Sequence, residues 1–458
     1  MWQEVVERLE QEAPGAVMAH LALDKALPAS WIDEVFQTHR QRQYPRELLF
    51  SSVVELMLLV TLGLRPSLHA AARKMADRLP VSLAALYAKV QRTEPAVLRA
   101  LVQGSAERLV PLVRCLPERS SLPGWQLRIF DGNHLPASEK RLAPLRGFRG
   151  AALPGHTLVV YDPDTALVCD IVACEDAHES ERTGVDALIE RAQARQVWIG
   201  DRHFCTRAIL QGLAERGAGF IVREHARHPR LQATGPWSTP VDIDTGRVRE
   251  QAIELAGPDD EEAPHCWRRI EIALHTPTDA GDETIVLWSN LPPQIDASIL
   301  AQLYRKRWRI EGLFGRLESV LHSEIKTLGH PRAALLGFAV AVLAYNVLAL
   351  LKQFIEHAHR HNHPELDVST YHLAVDITSD YGPLLRLLPP EHWPGADDDP
   401  HRLALRLLSL AGRLSPRQLA TSKRKPKIVQ VKGYADGHLA RSHVSTARVL
   451  KQAMGERP

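Results

Sequence analysis

Asp131, Asp201 and Glu311 are the residues whose types and settings could do chemistry together. Asp131 closes an alternating strand pattern, Gln126-Leu-Arg-Ile-Phe-Asp131, and Asp201 closes another, Gln196-Val-Trp-Ile-Gly-Asp201. Glu311 lies in an arginine-rich stretch, 304–318, that reads as one helix with Tyr304, Arg307, Glu311 and Glu318 near one face. Three carboxylates bind hard divalent ions through oxygen. Two such ions about 4 Å apart activate an attacking hydroxyl and stabilise the leaving oxygen at a phosphodiester. A single aspartate at a strand end is ordinarily a turn or cap residue, and a lone glutamate among arginines is ordinarily solvated surface. Only the three together point to a site.

Positioning them requires a sheet and a later helix. Strand patterns at 126–131, 156–162, 166–173, 196–201 and 219–223 alternate with helices at 180–194 and 206–216, the second closed by Gly217. The order β-β-β-α-β-α-β predicts a mixed sheet, a meander at Pro163-Asp164 followed by parallel crossovers. The first and fourth strands would be neighbours, and functional groups gather at strand ends near the topological switch. Residues 224–284 read as a β-rich insertion containing the acidic stretch 258–262. A strand at 284–289 follows, and Asp296 is placed to cap the helix leading to Glu311.

The flanks read as helical. Pro45-Arg46-Glu47 opens one helix. Ser67 to Arg78 and Ser82 to Arg92, broken at Leu79-Pro80, form either a helix-turn-helix or a plain helical hairpin. Residues 333–351 are apolar enough to span a membrane, but Tyr345, Asn346 and the polar flanks favour a buried core helix. The alternating histidines 357, 359, 361 and 363 do not share a helix face and read as a polar loop. Asp397-Asp-Asp399-Pro400 reads as a linker. From Lys423 to Lys451 eight lysines and arginines face one acid, Asp436, a solvated tail or a phosphate clamp.

The chain has 458 residues, 45% hydrophobic and 24% charged, which excludes general disorder. Its net charge of +2 means that any nucleic-acid binding comes from local patches. Five unpaired-spaced cysteines argue against a disulfide framework or a cysteine zinc site and fit a reducing cytoplasm, and Met1-Trp2-Gln3-Glu4 does not open a signal peptide.

Asp131-Gly-Asn133, Gly200-Asp-Arg-His-Phe204 and Tyr304-x-x-Arg307-x-x-x-Glu311 resemble the DDE transposases of bacterial IS4-type insertion sequences, over about 120–355. The third motif is the specific one. The resemblance implies an α/β, RNase H-like mixed-sheet catalytic core with a β-rich insertion, flanked by helical N- and C-terminal regions. The expected division is 1–120, 121–223, 224–284, 285–356 and 357–458. Asp131, Asp201 and Glu311 are implied as ligands of two Mg²⁺ ions, with Mn²⁺ able to substitute, and Tyr304 and Arg307 as contacts to DNA phosphates. Where the family carries a lysine seven residues after the glutamate, this chain has Glu318. Arg316 is the nearest replacement cation, and Lys326 a more distant one. The implied activity is cleavage of transposon ends and transfer of the 3′-OH into target DNA, by a homodimer on inverted repeats, in a nucleoid-associated cytoplasmic protein with no membrane partner. Two alternatives stand beside it: a catalytically inactive DNA-binding descendant, and an RNase H-like nuclease that does not join strands.

Overall fold

The computed structural model describes residues 2–422 apart from 42, 44–46, 77–78, 118–119, 147–148, 150, 226, 228, 230, 256–264, 279–280, 390–391 and 397. The expected helix start at Pro45-Arg46, the acidic stretch 258–262, Asp397 and the basic run from Lys423 lie outside the described residues.

Seven helices come first: α1 (Trp2–Glu12), α2 (Pro14–Ala26), α3 (Ala29–His39), α4 (Phe50–Thr61), α5 (Leu68–Lys74), α6 (Leu83–Val90) and α7 (Pro95–Val113). Ser67 and Ser82 cap α5 and α6, each hydroxyl accepting from the N–H three residues on, at 3.2 and 3.3 Å. Val97, Leu98, Leu101, Val102, Leu109 and Leu112 of α7 recur at three- and four-residue spacing and are all buried.

The strands are β1 (Gln126–His134), β2 (His156–Asp162), β3 (Leu167–Cys174), β4 (Gln196–Gly200), β5 (Gly219–Arg223), β6 (Gln232–Ala233), β7 (Val241–Ile243), β8 (Gly246–Leu255), β9 (His265–Leu274) and β10 (Thr284–Ser289). They form one sheet in the order β3-β2-β1-β4-β5-β10-β9-β8-β6, with β7 paired to β8. β2 lies antiparallel between β3 and β1, whereas β4 and β5 continue parallel from β1. The order 3-2-1-4-5 with an antiparallel second strand is the RNase H-like arrangement. The β-rich segment is joined to that core edge to edge, because β10 pairs with both β5 and β9.

Side-chain alternation gives the sheet two buried faces. Leu127, Ile129, Val159, Val197, Ile199 and Ile221 face the core shared with the N-terminal helices. Phe130, Leu158, Val160, Trp198, Phe220 and Val222 face α8 (Val185–Ile189) and α9 (Arg207–Glu215). The helix expected over 180–194 is shorter than its pattern: a 3₁₀ turn, Glu181–Gly184, precedes the single turn and a half of α8.

The remaining helices are α10 (Ala297–Arg305), α11 (Trp308–Ser319), α12 (Pro331–Ala358), α13 (Thr370–Leu387), α14 (Pro400–Ala411) and α15 (Pro416–Leu419). The apolar stretch 333–351 lies within α12, whose most apolar window is 94% buried inside the protein, as a core helix should be. Its Asn346 is fully buried and completes the free edge of the sheet. The amide oxygen accepts from Val168 N–H at 2.8 Å, and the amide nitrogen donates to Val168 C=O at 2.9 Å. Beyond α12, the His359 ring meets the Ala411 carbonyl at 3.0 Å, and among the described residues the histidine run forms no metal-binding group.

Candidate active site

β1 does not end at Asp131, where the alternating strand pattern closes. It runs on to His134, pairing with β2 throughout. Its parallel ladder with β4 ends at Ile129–Ile199. Beyond that pair the two strands part, and Asp131 and Asp201 each stand two residues further on. The sheet therefore opens between them, at the carboxyl ends of parallel strands, where α/β sheets hold their ligands. Asp201 caps a 3₁₀ turn, Arg202–Phe204, accepting from His203 N–H at 2.7 Å.

The stretch 304–318 is not one helix. α10 ends at Arg305, α11 begins at Trp308, and Arg307 sits at the junction. At this junction Arg307 faces inward. Its Nη1 donates to Asp131 Oδ2 at 3.2 Å and its Nη2 to Glu311 Oε1 at 2.9 Å. The guanidinium is thus the bridge between two of the three carboxylates, with only 8% of the residue exposed. Tyr304 is buried beside Arg307 and Asp201, and burial pushes its phenol up to about 12. Trp308 is exposed, with Arg307 over its ring at 4.6 Å.

Asp131 is held in an unfavourable setting for a charge. Its carboxyl is pushed up to about 7, first by burial and then by the charge of Asp201, against the opposing pull of Arg307 and the Gly132 N–H. A smaller push comes from Glu181, a carboxylate that no sequence pattern singled out. Glu181 lies in the 3₁₀ turn before α8 and pairs with His134 Nδ1 at 3.3 Å. Its carboxylate packs so closely on β1 that a Cβ at Gly132 would sit 2.1 Å from it. Arg182 ties the two turns together, its Nε donating to His203 C=O at 2.7 Å.

Arg316 and Glu318 take other positions. The Arg316 guanidinium lies over the Tyr345 ring of α12 at 5.7 Å, on a different side of α11 from Glu311. Glu318 is exposed near Glu324, whose carboxyl is raised by burial and then by the Glu318 charge.

Among the described residues no three His, Cys, Asp or Glu side chains are drawn together tightly enough to hold an ion as they stand, because Arg307 lies between Asp131 and Glu311. The donor set nevertheless fits hard divalent cations: it is all oxygen, partly buried, and already occupied by a positive group.

Residues 126–347 match the family model of the transposase DDE domain. That segment, a little under half of the chain, is similar to the DDE domains of transposases. The DDE domain includes all three carboxylates and implies dependence on divalent metal. The chain is 26% identical over 243 residues to the putative transposase InsL for insertion sequence element IS186A of Escherichia coli (strain K12), covering 46% of this chain and 62% of that protein. The transposase for insertion sequence element IS421 of Escherichia coli matches to the same extent. The chain thus spans less than two thirds of the length of these relatives. A solved piggyBac transposase synaptic complex with hairpin DNA aligns over 95% of this chain and 91% of its own, at a TM-score of 0.40 and 8% identity.

Proposed function

We propose that this protein is a metal-dependent DNA transposase that cuts transposon ends and transfers the resulting 3′-OH into target DNA. The observation that carries the reading is the placement of Asp131 and Asp201 side by side where β1 and β4 part, with Glu311 joined to Asp131 through Arg307. Asp131, Asp201 and Glu311 are the ligands for Mg²⁺, with Mn²⁺ as a substitute. Bound there, the ions supply Lewis-acid polarisation of a phosphodiester and neutralise the charge that develops on it.

The chain's own groups do the rest. Phe130, Trp198 and Phe204 pack together on the opposite face of the sheet. Arginine suits a phosphate because its planar fork matches two oxygens at once, and Arg307 is the guanidinium nearest the carboxylates. Tyr304, Arg307 and Arg316 are the proposed DNA contacts, Tyr304 from the end of α10 and Arg307 from its junction with α11. Double-stranded DNA carrying inverted repeats is the substrate, and a homodimer joins two ends, one per active site.

The test is a strand-transfer assay with purified protein, Mg²⁺, target plasmid and duplexes carrying the inverted repeats that flank the gene. Joined products support the reading. Cleavage without joining would leave a nuclease, and end binding without cleavage in Mg²⁺ or Mn²⁺ would leave an inactive DNA-binding protein.

A further inference from the structure

A phosphate-binding arginine belongs on the surface, yet Arg307 is turned inward and buried, holding Asp131 and Glu311 together at 3.2 and 2.9 Å. Its Nε is buried with no hydrogen-bond partner, so the guanidinium satisfies only part of its donor set where it sits. A buried arginine accepts that loss when uncompensated carboxylates would otherwise face each other. Asp131 lies beside Asp201 and Glu181 as well as Arg307, so the pocket holds an excess of negative charge that one guanidinium only partly offsets.

We propose that Arg307 is an internal counter-cation of the metal-free site, and that divalent metal binds by displacing it from Asp131 and Glu311. The two cations compete for the same carboxylate oxygens. Loading the site therefore releases a guanidinium, and the released group is the one available to a DNA phosphate. The indole of Trp308, 4.6 Å from the guanidinium and 59% exposed, borders the route outward. Metal loading and phosphate capture become linked steps: the free protein holds its arginine in, and the loaded protein presents it. Arg307 is in this respect a positioning residue for the metal site. The proposal rests on the reading that Asp131, Asp201 and Glu311 are the metal ligands.

The experiment measures Mn²⁺ binding to the full chain in the absence of DNA, from the free-Mn²⁺ electron paramagnetic resonance signal. Arg307→Met keeps the bulk of the side chain and removes the competitor. The expected result is at least tenfold tighter Mn²⁺ binding than in the wild type, with Arg307→Lys in between. Equal or weaker binding by a folded Arg307→Met, even with a lowered melting temperature, overturns the proposal and leaves Arg307 a structural brace. A second measurement uses the wild-type side chain. Mg²⁺ should change the Trp308 emission, taken as the difference between wild type and Trp308→Phe, over the same concentrations at which Mg²⁺ displaces Mn²⁺. Displacement with no change in that emission would also overturn it. Asp131→Asn and Glu311→Gln separate the two levels. If they leave Mn²⁺ binding intact, the ligand assignment fails. If they abolish it while Arg307→Met leaves affinity unchanged, only the competition fails.

Discussion

Asp131 and Asp201 occupy matched positions on parallel neighbours, each two residues past Ile129–Ile199, the pair at which the β1–β4 ladder ends. Two aspartates thus face one opening without either terminating in a flexible loop. β1 stays paired to β2 through His134, and Asp201 is fixed by its bond to His203 N–H. Rigidity of this kind lets like charges remain close, and the Asp201 charge adds to the effect of burial in raising the Asp131 pKa.

That raised value sets a pH dependence for the metal-free protein. A carboxyl that titrates near 3.8 when unfolded and about 7 when folded binds its proton more tightly in the folded state. Its contribution to stability is therefore full below pH 3.8 and is lost as pH rises through about 7. Melting temperatures of the metal-free wild type should fall across that window relative to Asp131→Asn, in which the group no longer titrates. Parallel curves for the two proteins would contradict the assignment.

Gly132→Ala should unseat the Glu181 carboxylate rather than the turn that carries it. The added Cβ would meet only the carboxylate end of the Glu181 side chain, which can swing off β1 while Arg182 keeps its bond to the Asp201 turn. The expected cost is at the low end of overpacking, about 1 kcal/mol, read by thermal melting, and Gly132→Ala combined with Glu181→Ala should melt no lower than Glu181→Ala alone. A double variant that melts clearly lower would place the clash elsewhere.

Asn346→Leu tests how α12 holds the sheet. The change leaves both backbone groups of Val168 without their partners in a fully buried place. The expected loss is about 1–3 kcal/mol for each orphaned group, seen as a clear drop in melting temperature. An unchanged melting point would mean the edge of β3 finds other partners.

The apolar patterns were enough to read β1, β2, β4, β5 and β10, and the crossover between strands made β1 and β4 neighbours. Gly217, at φ +68°, ends α9 as its residue type implies. The break between α10 and α11 was not readable. Lys306 and Arg307 are good helix formers, and what separates the helices is tertiary: Lys306 bonds Ser121, and Arg307 is drawn to Asp131 and Glu311. Glu181 was hidden for a related reason. It lies fifty positions from Asp131 in a polar turn, and only the packing over Gly132 brings it to the site. The extension of β1 past Gly132 likewise comes from its ladder with β2, which overrides the turn preference of Gly-Asn.

The most direct test of the three-carboxylate site is Mg²⁺-dependent cleavage of inverted-repeat ends by Asp131→Asn, Asp201→Asn and Glu311→Gln, each checked for folding and DNA binding. Each variant is predicted to bind the end and to lose cleavage by at least a hundredfold. A folded variant that cuts at the wild-type rate would contradict the account.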